Sequence, residues 1–174
     1  GLIIPIGTWV LKRACQIGAD LINNHQQTCI AVNISAKQLK HPEFYNTLTR
    51  SLSESKFPAM LLELEITESC FLEDMDIVIS LLNKIRQLGV TIALDDFGTG
   101  FSSLNYLRKL PVDYLKIDRS FIQELQVDRE SQAITASVIN LAHELNIRVI
   151  AEGVETREQF DFLKHRNVNF VQGF

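Results

Sequence analysis

The fold class these 174 residues predict is α/β: a TIM-barrel-like (β/α) barrel with about six parallel strands. Three observations predict it. First, segments of helical and strand periodicity alternate along the chain with short connections. Such connections form right-handed βαβ units, which make the strands parallel. Second, each strand has one aliphatic face and one face of small and polar groups. Ile30, Val32 and Ile34 alternate with Cys29, Ala31 and Asn33, and Leu62, Leu64 and Ile66 with Glu63, Glu65 and Thr67. Ile92 and Leu94 alternate with Thr91, Ala93 and Asp95, and Leu115 and Ile117 with Tyr114, Lys116 and Asp118. An open sheet covered by helices on both sides would be apolar on both faces. One apolar face against helices and one polar face toward a lumen suits a barrel. Third, a polar residue stands at or near the C-terminal end of every strand: Asn33, Glu65, Asp95, Lys116, Glu152 and Gln172. In a parallel barrel those ends share one rim, where active sites sit.

The elements follow in order. Residues 8–23 predict a helix, with Val10, Ala14, Ile17 and Leu21 on its buried face. Cys29 to Ser35 is a strand. Ser35-x-x-Gln38 has the form of a capping box opening a helical region that reaches about Ser53, and His41-Pro42 breaks that region near its start. Leu61 to Thr67 is the second strand. Residues 74–88 form a helix with Val78, Leu81, Leu82, Ile85 and Leu88 inward and Gly89 just past its end. Val90 to Asp95 is the third strand, followed by a short helix from Ser102 to Lys109 that Pro111 stops. Tyr114 to Asp118 is the fourth strand. Residues 129–145 are helical on Ile134, Val138, Leu141 and Leu145. Ile147 to Glu152 is the fifth strand, Thr156-x-x-Gln159 caps a helix running to Arg166, and Val168 to Gln172 is the sixth strand.

Composition bounds the function. Hydrophobic residues at 46% and charged residues at 22% describe a globular chain with a sizeable core. A net charge of −4 gives no support to duplex nucleic acid or an anionic membrane as partner. Cys15, Cys29 and Cys70 make no C-x-x-C pair and suit small apolar residues in a reducing compartment. Gly1-Leu-Ile-Ile-Pro5 lacks the cationic start of a signal peptide, and no apolar run is long enough for a bilayer, so a cytoplasmic chain, or the cytoplasmic part of a membrane-anchored parent, is expected.

The chemistry concentrates at Asp95-Asp96, two carboxylates closing an apolar strand and followed by a glycine-containing loop. Adjacent acids at the mouth of a buried strand are costly unless a cation shares them. Asn33, Glu65, Asp95 and Asp96 are hard oxygen donors, with no His or Cys cluster favouring zinc, so they point to Mg²⁺ or Mn²⁺ and to room for a pair of ions. The bland alternative is an Asp-rich turn in which Asp96 caps the next helix. Lys116, between Leu115 and Ile117, needs anions: a ligand, or an ion pair with Asp118 or Glu152. Glu68 is either a carboxylate supporting the metal site or a helix-dipole residue. Gly98-Thr-Gly100-Phe-Ser-Ser103 only partly matches a dinucleotide-binding loop. None of the four histidines has triad spacing, and no Ser or Cys nucleophile motif is present.

Six ordered motifs carry a resemblance: Val32-Asn33-Ile34-Ser35, Glu63-Leu-Glu65-Ile-Thr-Glu68-Ser69, Asp95-Asp96-Phe97-Gly98-Thr99-Gly100, Lys116-Ile117-Asp118, Ala151-Glu152-Gly153-Val154-Glu155 and Gln172-Gly173-Phe174. The chain closely resembles the EAL domain, the bacterial cyclic di-GMP phosphodiesterase, across essentially its whole length. The resemblance implies a variant TIM barrel that uses two Mg²⁺ or Mn²⁺ ions, is inhibited by Ca²⁺, and cuts cyclic di-GMP to linear pGpG. It implies Asn33, Glu65, Asp95 and Asp96 as metal ligands, Glu152 as a metal-proximal carboxylate cast as general base, Lys116 holding the attacking water or an anion, and Gln172 orienting water or metal. It further implies that Asp118 and Glu155 support these residues, and that Glu68 and the loop 97–103, with Gly98 and Gly100, would couple the metal site to contacts in a homodimer. Fused regulatory or GGDEF-type domains are expected in the parent.

One departure matters. The Glu-Ala-Leu segment that names the family, which supplies a further metal ligand, precedes the region resembling Gly1 and is not in this chain. The family also continues beyond Phe174. A barrel of this kind has roughly 250 residues, so residues 1–174 are expected to be a partial domain without internal boundary. The alternative function is therefore a cyclic di-GMP receptor that binds without turnover.

Overall fold

The computed structural model describes residues 1–26, 28–71, 74–98, 107–126 and 128–174, which divide into two compact units, Gly1–Ala93 and Leu94–Phe174.

The first unit opens with α1 (Ile3–Asn23), then β1 (Ile30–Ile34), α2 (Ala36–Leu39), α3 (Phe44–Ser55), a 3-10 turn at Ala59–Leu61, β2 (Leu62–Thr67), a second turn at Glu68–Phe71, and α4 (Met75–Gln87). β1 and β2 pair in parallel, Ile30 opposite Leu62 through Ile34 opposite Ile66. The expected alternation is realised: Val32, Ile34, Leu62, Leu64 and Ile66 are buried, whereas Ala31 and Asn33 are exposed. Ser35 closes the anticipated capping box with Gln38, and the chain turns at His41-Pro42 before α3 begins. Gly89 follows α4 at φ +93°, donating its N–H to the Arg86 carbonyl at 2.8 Å, a left-handed C-terminal position that suits glycine.

α1 corrects the sequence reading. It starts at Ile3, and its buried face is Gly7, Leu11, Cys15 and Gly18. Val10 and Ile17, expected inward, are exposed, as are Leu2, Ile3, Ile6 and Trp9, while Ala14 and Leu21 are half-buried. The reason is steric. A Cβ on Gly7 would overlap the Gln38 side-chain amide, and one on Gly18 would overlap the Phe57 ring. The two glycines let the helix approach its neighbours closely, a signal that apolar periodicity does not carry.

β3 (Thr91–Phe97) runs from the first unit into the second. The second unit continues with β4 (Tyr114–Ile117), α5 (Arg119–Gln123) with a 3-10 turn at Glu124–Gln126, α6 (Arg129–Glu144), β5 (Arg148–Glu152), α7 (Arg157–Lys164) and β6 (Phe170–Gln172). β4 pairs in parallel with β5, and β5 with β6. Before β6 begins, Asn169 Oδ1 accepts the Val149 N–H at 2.8 Å, so a side chain extends the ladder toward the strand's start. Leu115, Ile117, Val149 and Ala151 are buried.

α5 is an element the sequence reading did not anticipate. Asp118 starts it by accepting the Ser120 N–H at 3.0 Å, but with five residues it is too short to show a period. On α6 the expected face is again displaced. Ser131, Thr135, Ile139 and Ala142 are buried, Ile134 is exposed, and Val138, Leu141 and Leu145 are half-buried. The Ser131 hydroxyl is accommodated by donation to Glu124 Oε2 at 2.8 Å and Asp128 Oδ2 at 2.7 Å. The helix expected over Ser102–Lys109 lies mostly outside the described residues.

Candidate active site

In the first unit the strand register puts Asn33 directly opposite Glu65. Both side chains leave the faces opposite the buried aliphatic rows, because the pleat alternates. Asn33 is exposed and Glu65 is buried, and Glu68 opens the turn at the exit of β2.

In the second unit three charged side chains meet. Lys116 Nζ lies 2.7 Å from Glu152 Oε1 and 3.1 Å from Asp95 Oδ1. The Lys116 side chain is only 7% exposed, so the ammonium has exchanged most of its water for carboxylate oxygens. Of the two ion-pair partners open to Lys116 in the sequence, the structure selects Glu152 and adds Asp95. Asp118 is engaged elsewhere: the Ser120 hydroxyl and then the Ser120 and Arg119 amides hold its carboxyl below the usual carboxylate range, against a smaller opposing effect of burial.

Asp96 takes a left-handed backbone at φ 53°, and its N–H donates to Asp95 Oδ1 at 3.1 Å. Although Asp96 is exposed by area, partial desolvation at the strand end, followed by the charges of Asp95, Asp118 and Glu152, lifts its carboxyl above the ordinary value, with Lys116 opposing. The Asp95 and Glu152 carboxylates thus pair with the Lys116 ammonium, and Asp96 lies within reach of all three charges. The carboxylate donor chemistry fits a hard divalent cation. Among the described residues, no three His, Cys, Asp or Glu side chains already form a metal-holding group.

β5 and β6 place Glu152 opposite Gln172, whose side chain is exposed. Gly98 has φ +100° with the Phe121 ring packed against it, while Gly100 and the rest of the loop through Tyr106 fall outside the described residues. Glu155 pairs with Arg119 at 3.4 Å. Arg119 and the buried Gln159 are two site-adjacent residues that sequence reasoning missed. Arg119 directly follows the Lys116-Ile117-Asp118 motif, which was the available signal. Nothing local announces that Gln159 does more than cap its helix.

The EAL domain family model matches residues 1–174. The chain is 40% identical over 175 residues to the cyclic di-GMP phosphodiesterase NbdA of Pseudomonas aeruginosa, covering all of this chain and 22% of that protein. It is 37% identical over 174 residues to the cyclic di-GMP phosphodiesterase PdeR of Escherichia coli, again over the whole chain and 26% of the relative. The solved structure of the PaMucR phosphodiesterase in complex with c-di-GMP matches at TM-score 0.93 and 41% identity, covering 100% of this chain and 71% of that one. The chain therefore spans about a quarter of the curated relatives it matches. The TIM-barrel-like class anticipated from the strand pattern is the one this chain has, and the chain belongs to the EAL domain family.

Proposed function

We propose that the protein carrying this chain is a cyclic di-GMP phosphodiesterase that hydrolyses the cyclic dinucleotide to linear pGpG in bacterial second-messenger signalling. The observation that carries the reading is the buried Lys116 ammonium held between Asp95 and Glu152, in a chain that matches the family along its whole length. That cluster is costly for the fold and is suited to handling an anion and a proton.

In this reading Asn33, Glu65, Asp95 and Asp96 hold Mg²⁺ or Mn²⁺, and a pair of ions is expected. When bound, the ions neutralise the phosphodiester and make a water acidic enough to attack. This chain's own residues do the rest. Lys116 donates to Glu152 Oε1, which directs proton acceptance to Oε2, so Glu152 serves as general base there. The ammonium also offsets negative charge developing on the phosphoryl oxygens. Gln172, opposite Glu152 in the ladder, orients the water. Asp118 and Glu155 support the strand exits through Ser120 and Arg119, and Glu68 with the Gly98–Gly100 loop relays the state of the site to a homodimer contact. Fused regulatory or GGDEF-type domains and a cytoplasmic setting complete the proposal. The fused domains are consistent with relatives several times longer than this chain.

The test uses the full-length protein. Asp95→Asn and Lys116→Ala should each lower hydrolysis at least about 100-fold with Mg²⁺ or Mn²⁺ present. Because Lys116→Ala strands two carboxylates, it should also cost about 3 kcal/mol of stability, so turnover is compared at equal folded fraction. Retained turnover in either variant removes the assigned roles. Calorimetric binding of cyclic di-GMP in Ca²⁺, with no pGpG formed by the wild type in Mg²⁺ or Mn²⁺, would replace the enzyme with a receptor.

A further inference from the structure

We propose that Gln159 is a positioning residue for Glu152: it ties the backbone leaving β5 to the helix that follows Lys116. The inference rests on the phosphodiesterase reading for its kinetic consequence, but its structural consequence stands alone.

The path out of β5 is unusually constrained. Gly153 turns at φ +71° against Arg119, where a Cβ would overlap that side chain. The Val154 N–H donates to the Gln172 carbonyl at 3.0 Å, and Gly173 lies so close that a Cβ there would overlap the Val154 backbone. Glu155 pairs with Arg119. Gln159 then reaches back from the first turn of α7. Its Oε1 accepts the Glu155 N–H at 2.8 Å and the Thr156 N–H at 3.0 Å. Its Nε2 donates to the Ile122 carbonyl at 3.1 Å, across 37 residues, and the side chain is 4% exposed.

A capping role accounts for the Thr156 contact and for nothing else. The contact to Glu155 lies outside the box, and the bond to Ile122 leads to α5, which starts three residues after Lys116. One amide group therefore links the exits of β5 and β4, the strands whose side chains make the 2.7 Å Lys116–Glu152 contact. Glu152 is the last residue of its strand, so its carboxylate is only as well placed as the three residues after it. Small displacements of a catalytic group are expensive in rate.

The experiment compares Gln159→Met with Thr156→Ala in the full-length protein. Methionine keeps the length and volume of glutamine and removes both polar functions. Thr156→Ala weakens the same helix start while leaving the Gln159 amide in place. In Gln159→Met, amide exchange at Val154 and Glu155 should quicken at least about tenfold. Its kcat should fall at least about tenfold with KM within about twofold. Thr156→Ala should lose thermal stability yet keep wild-type exchange at those amides and wild-type kcat. Unchanged exchange in Gln159→Met, unchanged kcat per folded molecule, or an equal loss in Thr156→Ala would overturn the proposal. If Gln159→Met does not fold, Gln159→Glu carries the test. It keeps an acceptor for the Glu155 and Thr156 amides, loses the donor to Ile122, and should show the kcat loss with those amides still protected; wild-type kcat there overturns the proposal. A wild type without turnover would sink the phosphodiesterase reading, and the exchange comparison would still decide the role of Gln159.

Discussion

Two helix starts in this chain are built from the same four-residue motif and are put to different uses. Ser35-x-x-Gln38 opens α2 in the first unit, and Thr156-x-x-Gln159 opens α7 in the second. Both are reciprocal capping boxes, and both glutamines are buried. In the first, Gln38 Oε1 accepts the Ser35 N–H at 3.2 Å and the Ser35 hydroxyl at 2.7 Å, while its amide fills the space that Gly7 leaves on α1. In the second, the amide donates to a carbonyl 37 residues away. A capping motif satisfies the helix's own orphan N–H groups. What the far end of the glutamine does is decided by whatever the fold brings to it: a missing side chain in one case, an acceptor in the other.

The largest effect should come from the seat of the first box. Gly7→Val puts atoms where the Gln38 amide lies and should destabilise the protein by about 2 kcal/mol, in the range for overpacked sites, as read from urea denaturation at constant m. A loss near zero would mean that Gln38 can step aside and that the two glutamines differ less than described. Next come the capping hydroxyls. Ser35→Ala and Thr156→Ala should each cost about 1 kcal/mol, because at this level the boxes are equivalent. A large gap between the two costs would show that one hydroxyl has a tertiary role as well.

The smallest effect uses a cap that titrates. Asp128 starts α6 without a box. The Ser131 hydroxyl, then the Ser131 and Glu130 amides, hold its carboxyl below the ordinary value. A carboxyl with a lowered folded-state pKa contributes stability in full above its unfolded value near 4 and loses it as pH falls through the folded value. The stability difference between wild type and Asp128→Ala should stay level from about pH 7 to 5 and shrink below about pH 4, while the Ser35→Ala and Thr156→Ala differences, which involve no titrating cap, should not follow it. A difference that grew on acidification would reverse the sign of the Asp128 contribution.

Much of the fold was legible because its signals are local. Strand alternation at Val32 and Ile34, the left-handed Gly89, and both boxes depend on residues within a few positions of one another. The buried faces of α1 and α6 were not legible, because Gly7, Gly18, Ser131 and Thr135 do not register as hydrophobic. Helix faces pack by shape as well as by hydrophobicity, and a buried hydroxyl such as that of Ser131 is tolerated where it finds an acceptor. The candidate site shows the same division. Polar residues at strand ends marked Lys116, Glu152 and Asp95, yet Lys116 between two anions could equally have chosen Asp118. That choice depends on Asp118 being taken by Ser120 at the start of α5, a helix too short to announce itself.

The sequence by itself determined the alternation of strands and helices, the polarity of the strand faces, where the two boxed helices begin, and the family. These follow from backbone sterics, period and capping, which act over a few residues. Only the tertiary structure decided which helix face turns inward, which carboxylates flank Lys116, and that Gln159 bonds to Ile122. Each of these depends on the distance between residues far apart in the chain, and an electrostatic or hydrogen-bonded contact exists only once that distance has closed.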